Sequence, residues 1–145
     1  FTHIPDFAIG RPGWDNWMIF KARLEGWIVI DGSQDITIAH QDLDPSHLSG
    51  GLPHYRQPET AANVKLAGGD HTIFTLHDAQ AKLVDGSIQK IPLTWKRFWR
   101  QIEIFPITFF KSKTLSQISY FLFHPRKTYL AFRRLVHESL HRNDK

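Results

Sequence analysis

Phe7-Ala8-Ile9-Gly10-Arg11-Pro12-Gly13-Trp14-Asp15-Asn16-Trp17 is the stretch whose reading decides the fold. A short apolar run stops at Gly10-Arg11-Pro12-Gly13, where glycine and proline together mark a tight turn. A helix should follow, with Asp15 or Asn16 as its N-cap, because a short side-chain oxygen accepts from backbone N–H groups one turn ahead. From Trp14 to Leu24 the pattern is apolar nearly all round, which predicts a well-buried helix. Gly26 then stops it.

Downstream, Trp27-Ile28-Val29-Ile30 reads as a buried strand and Ile36-Thr37-Ile38-Ala39-His40 as an alternating one. Residues 41–58 read as an irregular loop long enough to be functional. Glu59–Ala67 is a short helix ended by Gly68-Gly69, and Thr72–Leu76 reads as a strand. Ala81–Val84 and Ser87–Ile91 flank Asp85-Gly86, a strong hairpin signal because both residues tolerate positive φ. After Pro92 the period becomes helical, over about 94–105, 113–123 and 126–141, with Pro106 and Pro125 as separators. These elements give an α/β class: a small mixed sheet with helices, followed by a helical basic C-terminal tail.

Composition bounds the function. The 145 residues are enough for a real core, and 41% hydrophobic against 22% charged residues argues against global disorder. There is no cysteine, so disulfides and Cys-type zinc sites are excluded and any metal must use His, Asp or Glu. No uncharged apolar run approaches the ~18 residues of a membrane span, and the residues from Phe1-Thr2-His3 do not read as a signal peptide. The start at Phe1 rather than Met leads us to expect a piece of a longer polypeptide.

The net charge of +4 hides a split. Residues 1–93 hold 7 Lys+Arg against 11 Asp+Glu, a net −4, whereas residues 94–145 hold 11 against 3, a net +8. We therefore divide the chain into a carboxylate-rich portion, 1–93, and a basic amphipathic tail, 94–145.

Two clusters carry chemistry-bearing groups. In the first, an Asp at a helix start either caps the helix or serves as general base toward an incoming hydroxyl. Trp14 and Trp17 either fill the core or stack on a sugar ring. The second is His40-Gln41-Asp42-Leu43-Asp44-Pro45-Ser46-His47. Imidazole and carboxylate there suit Mn²⁺ or Zn²⁺, although a polar loop of this kind is also an ordinary solvated loop. Tyr55 and Arg56 can stack on a sugar or base and pair with a diphosphate, or be surface residues. Arg11, in the turn, can clamp a phosphate or a carboxylate, or cap a strand end.

The order Trp14-Asp15-Asn16, helix, Gly26, strand, His40 resembles the second half of GT-A-fold glycosyltransferases. It is similar to the Trp-Gly-Gly-Glu-Asn segment of polypeptide N-acetylgalactosaminyltransferases and the Glu-Asp segment of family 2 glycosyltransferases. Ile9–Trp17, Val29-Ile30-Asp31, His40-Gln41, Ser46-His47, Gly50-Gly51 and Leu66–Gly69 also look like a sequence recurrent in bacterial glycosyltransferases of polysaccharide biosynthesis. The resemblance covers roughly the first half of the chain. It implies the C-terminal portion of a GT-A-like domain that transfers a sugar from a nucleotide-diphosphate sugar to a hydroxyl of a glycan or lipid-linked acceptor. Asp15 would be catalytic. Arg11, Trp14, Asn16, Trp17, Tyr55 and Arg56 would bind substrate. His40, with Asp42 and His47 as weaker candidates, would hold a divalent metal, Mn or Mg, completed by residues outside this chain. The nucleotide-binding half, with its Asp-x-Asp, would be a missing N-terminal part of the same enzyme, leaving this portion inactive alone. Asp42-Leu43-Asp44 has that motif's letters but follows the acceptor-side helix, so it is not given the diphosphate role.

Two rivals stand beside this reading. One is a metal-dependent hydrolase built on His40, Asp42, Asp44 and His47. The other is a non-enzymatic module that binds a partner or an anionic membrane surface through the basic, aromatic stripes of residues 94–145. No recognition motif supports nucleic-acid binding. The implied location is cytoplasmic, with the tail directed to the inner face of the membrane.

Overall fold

The computed structural model of the chain describes residues 3–39, 54–130, 132 and 133. The chain divides into two compact units, residues 1–98 and 99–145. Within the first lie α1 (Trp14–Leu24), β1 (Ile30–Asp31), α2 (Pro58–Ala67), β2 (Ala81–Val84) and β3 (Ser87–Lys90). The sheet order is β1-β2-β3. β1 runs parallel to β2, with Ile30 opposite Ala81, and β2 runs antiparallel to β3, with Val84 opposite Ser87. The chain is thus mixed α/β with a small mixed sheet. The parallel pair needs a crossover, and α2 lies within that connection.

The hairpin forms where Asp85-Gly86 places it, with φ of 51° and 70° at the two turn residues. Asp35 reinforces it from a distance, its carboxylate accepting from Asp85 N at 3.0 Å and Gly86 N at 2.6 Å. α2 ends where expected. Gly68 N donates to Lys65 O and Gly69 N to Val64 O, which satisfies two carbonyls of the last turn. α1 ends in the same way, through Gly26 N to Arg23 O and Trp27 N to Ala22 O.

Several expectations are corrected. Trp27–Ile30 is not a buried strand: only Ile30–Asp31 pairs, and Trp27 and Ile28 are exposed. The Gln80 side chain accepts the Val29 N–H at 3.1 Å, taking a donor that a longer ladder would use. Residues 36–39 form no strand. Asp35 N and Ile36 N both return to Gly32 O, folding the segment into a turn, and Ile36 and Ile38 are exposed. Thr72–Leu76 is not a strand either. Short 3₁₀ turns at Asp70–Thr72 and Leu76–Asp78 flank a fully buried Phe74. The N-cap of α1 is Gly13, not Asp15 or Asn16, and no side chain caps it. α1 is buried along one face, Trp17, Phe20 and Arg23, rather than all round. Phe20 meets Phe74 edge-on at 5.4 Å.

α3 (Trp95–Thr108) begins in the first unit and continues in the second, where α4 (Lys113–Phe123) follows. Pro106 does not end α3 but sits inside it. Proline removes one N–H near the C-terminus. The turn persists because Phe109 N still donates to Phe105 O at 2.9 Å and Thr108 Oγ1 donates to Ile104 O at 3.1 Å. Helix resumes after His124 through 125–130 and at 132–133. The remainder of the third expected helix, and residues 41–53 of the expected loop, lie outside the described residues. Among the described residues no helix is long and apolar enough to cross a membrane.

Candidate functional site

The Phe7–Trp17 segment is held by one residue of α2. Asn63 is fully buried, and its side chain makes four hydrogen bonds to that segment. Oδ1 accepts from Ala8 N at 2.9 Å, while Nδ2 donates to the carbonyls of Ala8 (3.0 Å), Arg11 and Pro12 (both 3.2 Å). A primary amide offers two donors and an acceptor with two lone pairs, so Nδ2 shares its hydrogens among three carbonyls. Gly13 fits against this clamp. Its φ is 112°, and a Cβ there would lie 3.1 Å from Asn63 Cβ, so both the backbone conformation and the close approach call for glycine. From the other side Asn16 Nδ2 donates to Phe74 O at 2.7 Å. Phe7 packs on Trp17, ring centroids 5.2 Å apart.

A second arrangement holds the turn that leads into β2. Arg97 donates to His77 O at 2.9 Å and Ala79 O at 2.8 Å, and Arg23 donates to Asp78 O. Three consecutive carbonyls are thereby held by two guanidinium groups. The buried Asp78 carboxylate accepts from Thr75 N at 2.9 Å and completes a capping box. Burial pushes the Arg23 pKa below the ordinary guanidinium value, opposed by the Asp78 carboxylate and assisted by the Arg97 charge. Arg23 remains ionised at neutral pH and Asp78 is its counter-charge.

Against this frame the expected site residues fall as follows. Asp15 is in the first turn of α1, exposed, with Oδ1 accepting from Gly13 N at 3.3 Å. The partial positive charge of a helix N-terminus favours a carboxylate there. Trp14 is half-buried, whereas Trp17 is buried on Phe7. Asn16 is committed to Phe74. Arg11 is half-buried and donates to Gly10 O at 3.4 Å; its Nε is buried with no hydrogen-bond partner among the described residues. Tyr55 and Arg56 are exposed in the 3₁₀ turn His54–Arg56, with the guanidinium carbon 5.8 Å from the Tyr55 ring centroid. His40, Asp42 and His47, like Asp44 of the hydrolase alternative, lie outside the described residues. Among the described residues no three His, Asp or Glu side chains are grouped to hold a metal ion. Asp15 by itself is one monodentate donor and makes no such site.

The structure thus gathers Arg11, Trp14, Asp15, Asn16 and Trp17 on one braced loop and helix start. Sequence reasoning missed the residues that do the bracing. Asn63 carried a faint signal, as a poor helix former at the middle of α2. Thr75 and Asp78 carried a better one, the three-residue spacing of a capping box. Arg23 and Arg97 carried none.

No protein-family description matches the chain, and neither a curated protein nor a solved structure matches it. What can be said of class is therefore a mixed α/β protein presenting an exposed carboxylate at the start of a braced helix.

Proposed function

We propose that the chain supplies the acceptor-side portion of a GT-A-type glycosyltransferase site, in which Asp15 is the general base. The observation that carries the reading is the combination of an exposed Asp15 carboxylate with a backbone fixed by Asn63 on one side and by Asn16 on the other. A base must be held within hydrogen-bond reach of the proton it takes, and rigid support of the loop serves that need. In the reaction, Asp15 accepts the proton of an acceptor hydroxyl. The hydroxyl oxygen forms a bond to the anomeric carbon of the donor, and the nucleoside diphosphate leaves with the electron pair of the broken C–O bond. Trp14, half-exposed beside Asp15, gives an apolar surface for a sugar ring. Arg11, half-buried in the turn before Asp15, carries a guanidinium suited to an anionic group of acceptor or donor. A divalent cation, held by His40 and by residues outside this chain, would stabilise the diphosphate as it leaves.

The test uses the polypeptide encoded by the complete reading frame. It is offered a panel of nucleoside-diphosphate sugars, and nucleoside diphosphate release is followed. Release with at least one donor, abolished by Asp15→Asn in a protein of unchanged thermal stability, is the expected result. Absence of release across the panel, or full release by the Asn variant, rejects the reading.

A further inference from the structure

The second unit buries polar groups and leaves large aromatic side chains exposed. Where α3 and α4 meet, the buried residues include Glu103, Ser116, Ser119 and Tyr120. Ser119 Oγ donates to Glu103 O at 2.8 Å, and the Glu103 carboxylate is held by Arg100 at 2.9 Å and His124 at 3.0 Å. Ile104 and Ile107 are buried beside these polar groups, but many of the unit's large apolar side chains are exposed. At the end of α3 and the start of the following turn, Phe105, Phe109 and Phe110 form one aromatic knuckle. Their ring centroids lie 5.0, 5.5 and 5.1 Å apart. Phe109 is 67% and Phe110 58% exposed. Ile118, Phe121 and Leu122 extend the apolar surface along α4. Exposed apolar surface of this extent marks an interaction site rather than ordinary solvent-facing surface.

The charges indicate what covers it. Glu103, the one acidic residue among the described residues of this unit, is buried and paired. Every exposed charged side chain among those residues is basic: Lys111, Lys113, Arg126, Lys127 and Arg133. Lys111 and Lys113 lie next to the knuckle in sequence, and Lys111 holds a φ of 55° in the turn. Residues 99–145 carry 9 Lys+Arg against 3 Asp+Glu, a net +6, which also disfavours a second copy of the same face. At 14 and 11 residues, α3 and α4 are too short to span a bilayer. Aromatic side chains at headgroup depth, ringed by lysines that meet lipid phosphates, are the chemistry of surface docking.

We infer that the α3–α4 turn is a membrane-docking wedge, with Phe105, Phe109 and Phe110 entering the headgroup boundary of an anionic bilayer and Lys111 and Lys113 facing its phosphates. This does not rest on the glycosyl-transfer reading and involves none of its residues. The test is co-sedimentation of the whole chain with phosphatidylcholine vesicles, with and without ~30 mol % phosphatidylglycerol, the anionic lipid that recruits basic segments. Binding is expected only to the anionic vesicles, and should weaken in roughly 0.5 M salt, where charges are screened beyond a few ångströms. Phe109→Ser with Phe110→Ser should lower the partition coefficient about tenfold or more, since apolar burial and charge act together. Lys111→Glu with Lys113→Glu should lower it comparably, and circular dichroism should show both variants as helical as the parent. Equal binding to neutral vesicles, binding unaffected by both double substitutions, or a concentration-dependent dimer that ignores vesicles would each overturn the inference.

Discussion

Asn63 treats Ala8 as a residue of a neighbouring strand would, accepting its N–H at 2.9 Å and donating to its carbonyl at 3.0 Å. A side chain from α2 thereby replaces a stretch of sheet as the partner of the segment before α1. The exposed carboxylate of Asp15 lies in the first turn of the helix that follows a loop whose Ala8, Arg11 and Pro12 carbonyls are held by Asn63.

Removing that partner should unfold the loop's support. Asn63→Ala leaves the Ala8 N–H and its carbonyl without the Asn63 amide in a part-buried place, at a cost of about 2–3 kcal/mol. Asn63→Asp keeps the acceptor but loses both donors and buries a charge, so it should cost at least as much. Urea unfolding of the two variants checks this; an Asp variant as stable as the parent would show that the clamp is not what holds the segment.

Gly13 answers to two constraints, conformation and space. Gly13→Ala meets both a φ of 112° and a contact at 3.1 Å to Asn63 Cβ, whereas Gly10→Ala meets a φ of 80° with nothing within 4 Å. The first should destabilise by about 2–3 kcal/mol and the second by about 1 kcal/mol, the difference being the steric term. Equal losses in thermal or urea unfolding would place the whole effect in the backbone.

The arginines under the Leu76–Ala79 turn should not tolerate conservative exchange. Arg97 makes two hydrogen bonds in fixed geometry, and a lysine can keep one, so Arg97→Lys should cost about 1 kcal/mol. Arg23→Met should cost more, roughly 3 kcal/mol, because it leaves the buried Asp78 carboxylate without its counter-charge. The ordering is read from urea midpoints; a Met variant less harmful than the Lys variant would contradict it.

One carboxylate carries a pH signature. The Ser33 hydroxyl, and then the Ser33 backbone N–H, hold the Asp31 pKa below 3.8. A depressed folded-state value means that the contribution is fully present above the unfolded-state pKa and is lost as pH falls through the folded one. The side-chain carbonyl resonance of Asp31 should therefore titrate below the ordinary aspartate range, and Ser33→Ala should bring it back up. A titration unaltered by Ser33→Ala would remove Ser33 as the cause.

What was legible in the sequence was local. The Asp85-Gly86 hairpin, the end of α2 at Gly68 and the span of α4 are decided by residues within a few positions of each other, so pattern reading finds them. The strand expected at 27–30 was cut short for a non-local reason, whereas 36–39 departs from a strand after a local turn onto Gly32 O. Their apolar residues look like strand residues, but Gln80, 51 positions from Val29, takes the Val29 N–H, and Asp35 reaches about as far to hold the hairpin tip. The clamp was illegible for the same reason, since Asn63 lies 51 to 55 positions from the groups it holds. Asp15 was read as a helix-start carboxylate and lies in that turn, although Gly13 holds the cap position.

Single-turnover transfer separates the role of Asp15 in chemistry from any role in binding. With donor and acceptor bound to the complete polypeptide, Asp15→Asn should slow sugar transfer by about 10²-fold or more, the usual worth of a positioned base. Donor affinity should stay unchanged, because the proposed role sets Asp15 against the acceptor hydroxyl and not the donor. Transfer by the Asn variant at the parent rate, or a loss of donor affinity that accounts for the whole decrease, would contradict the assignment of Asp15 as the base.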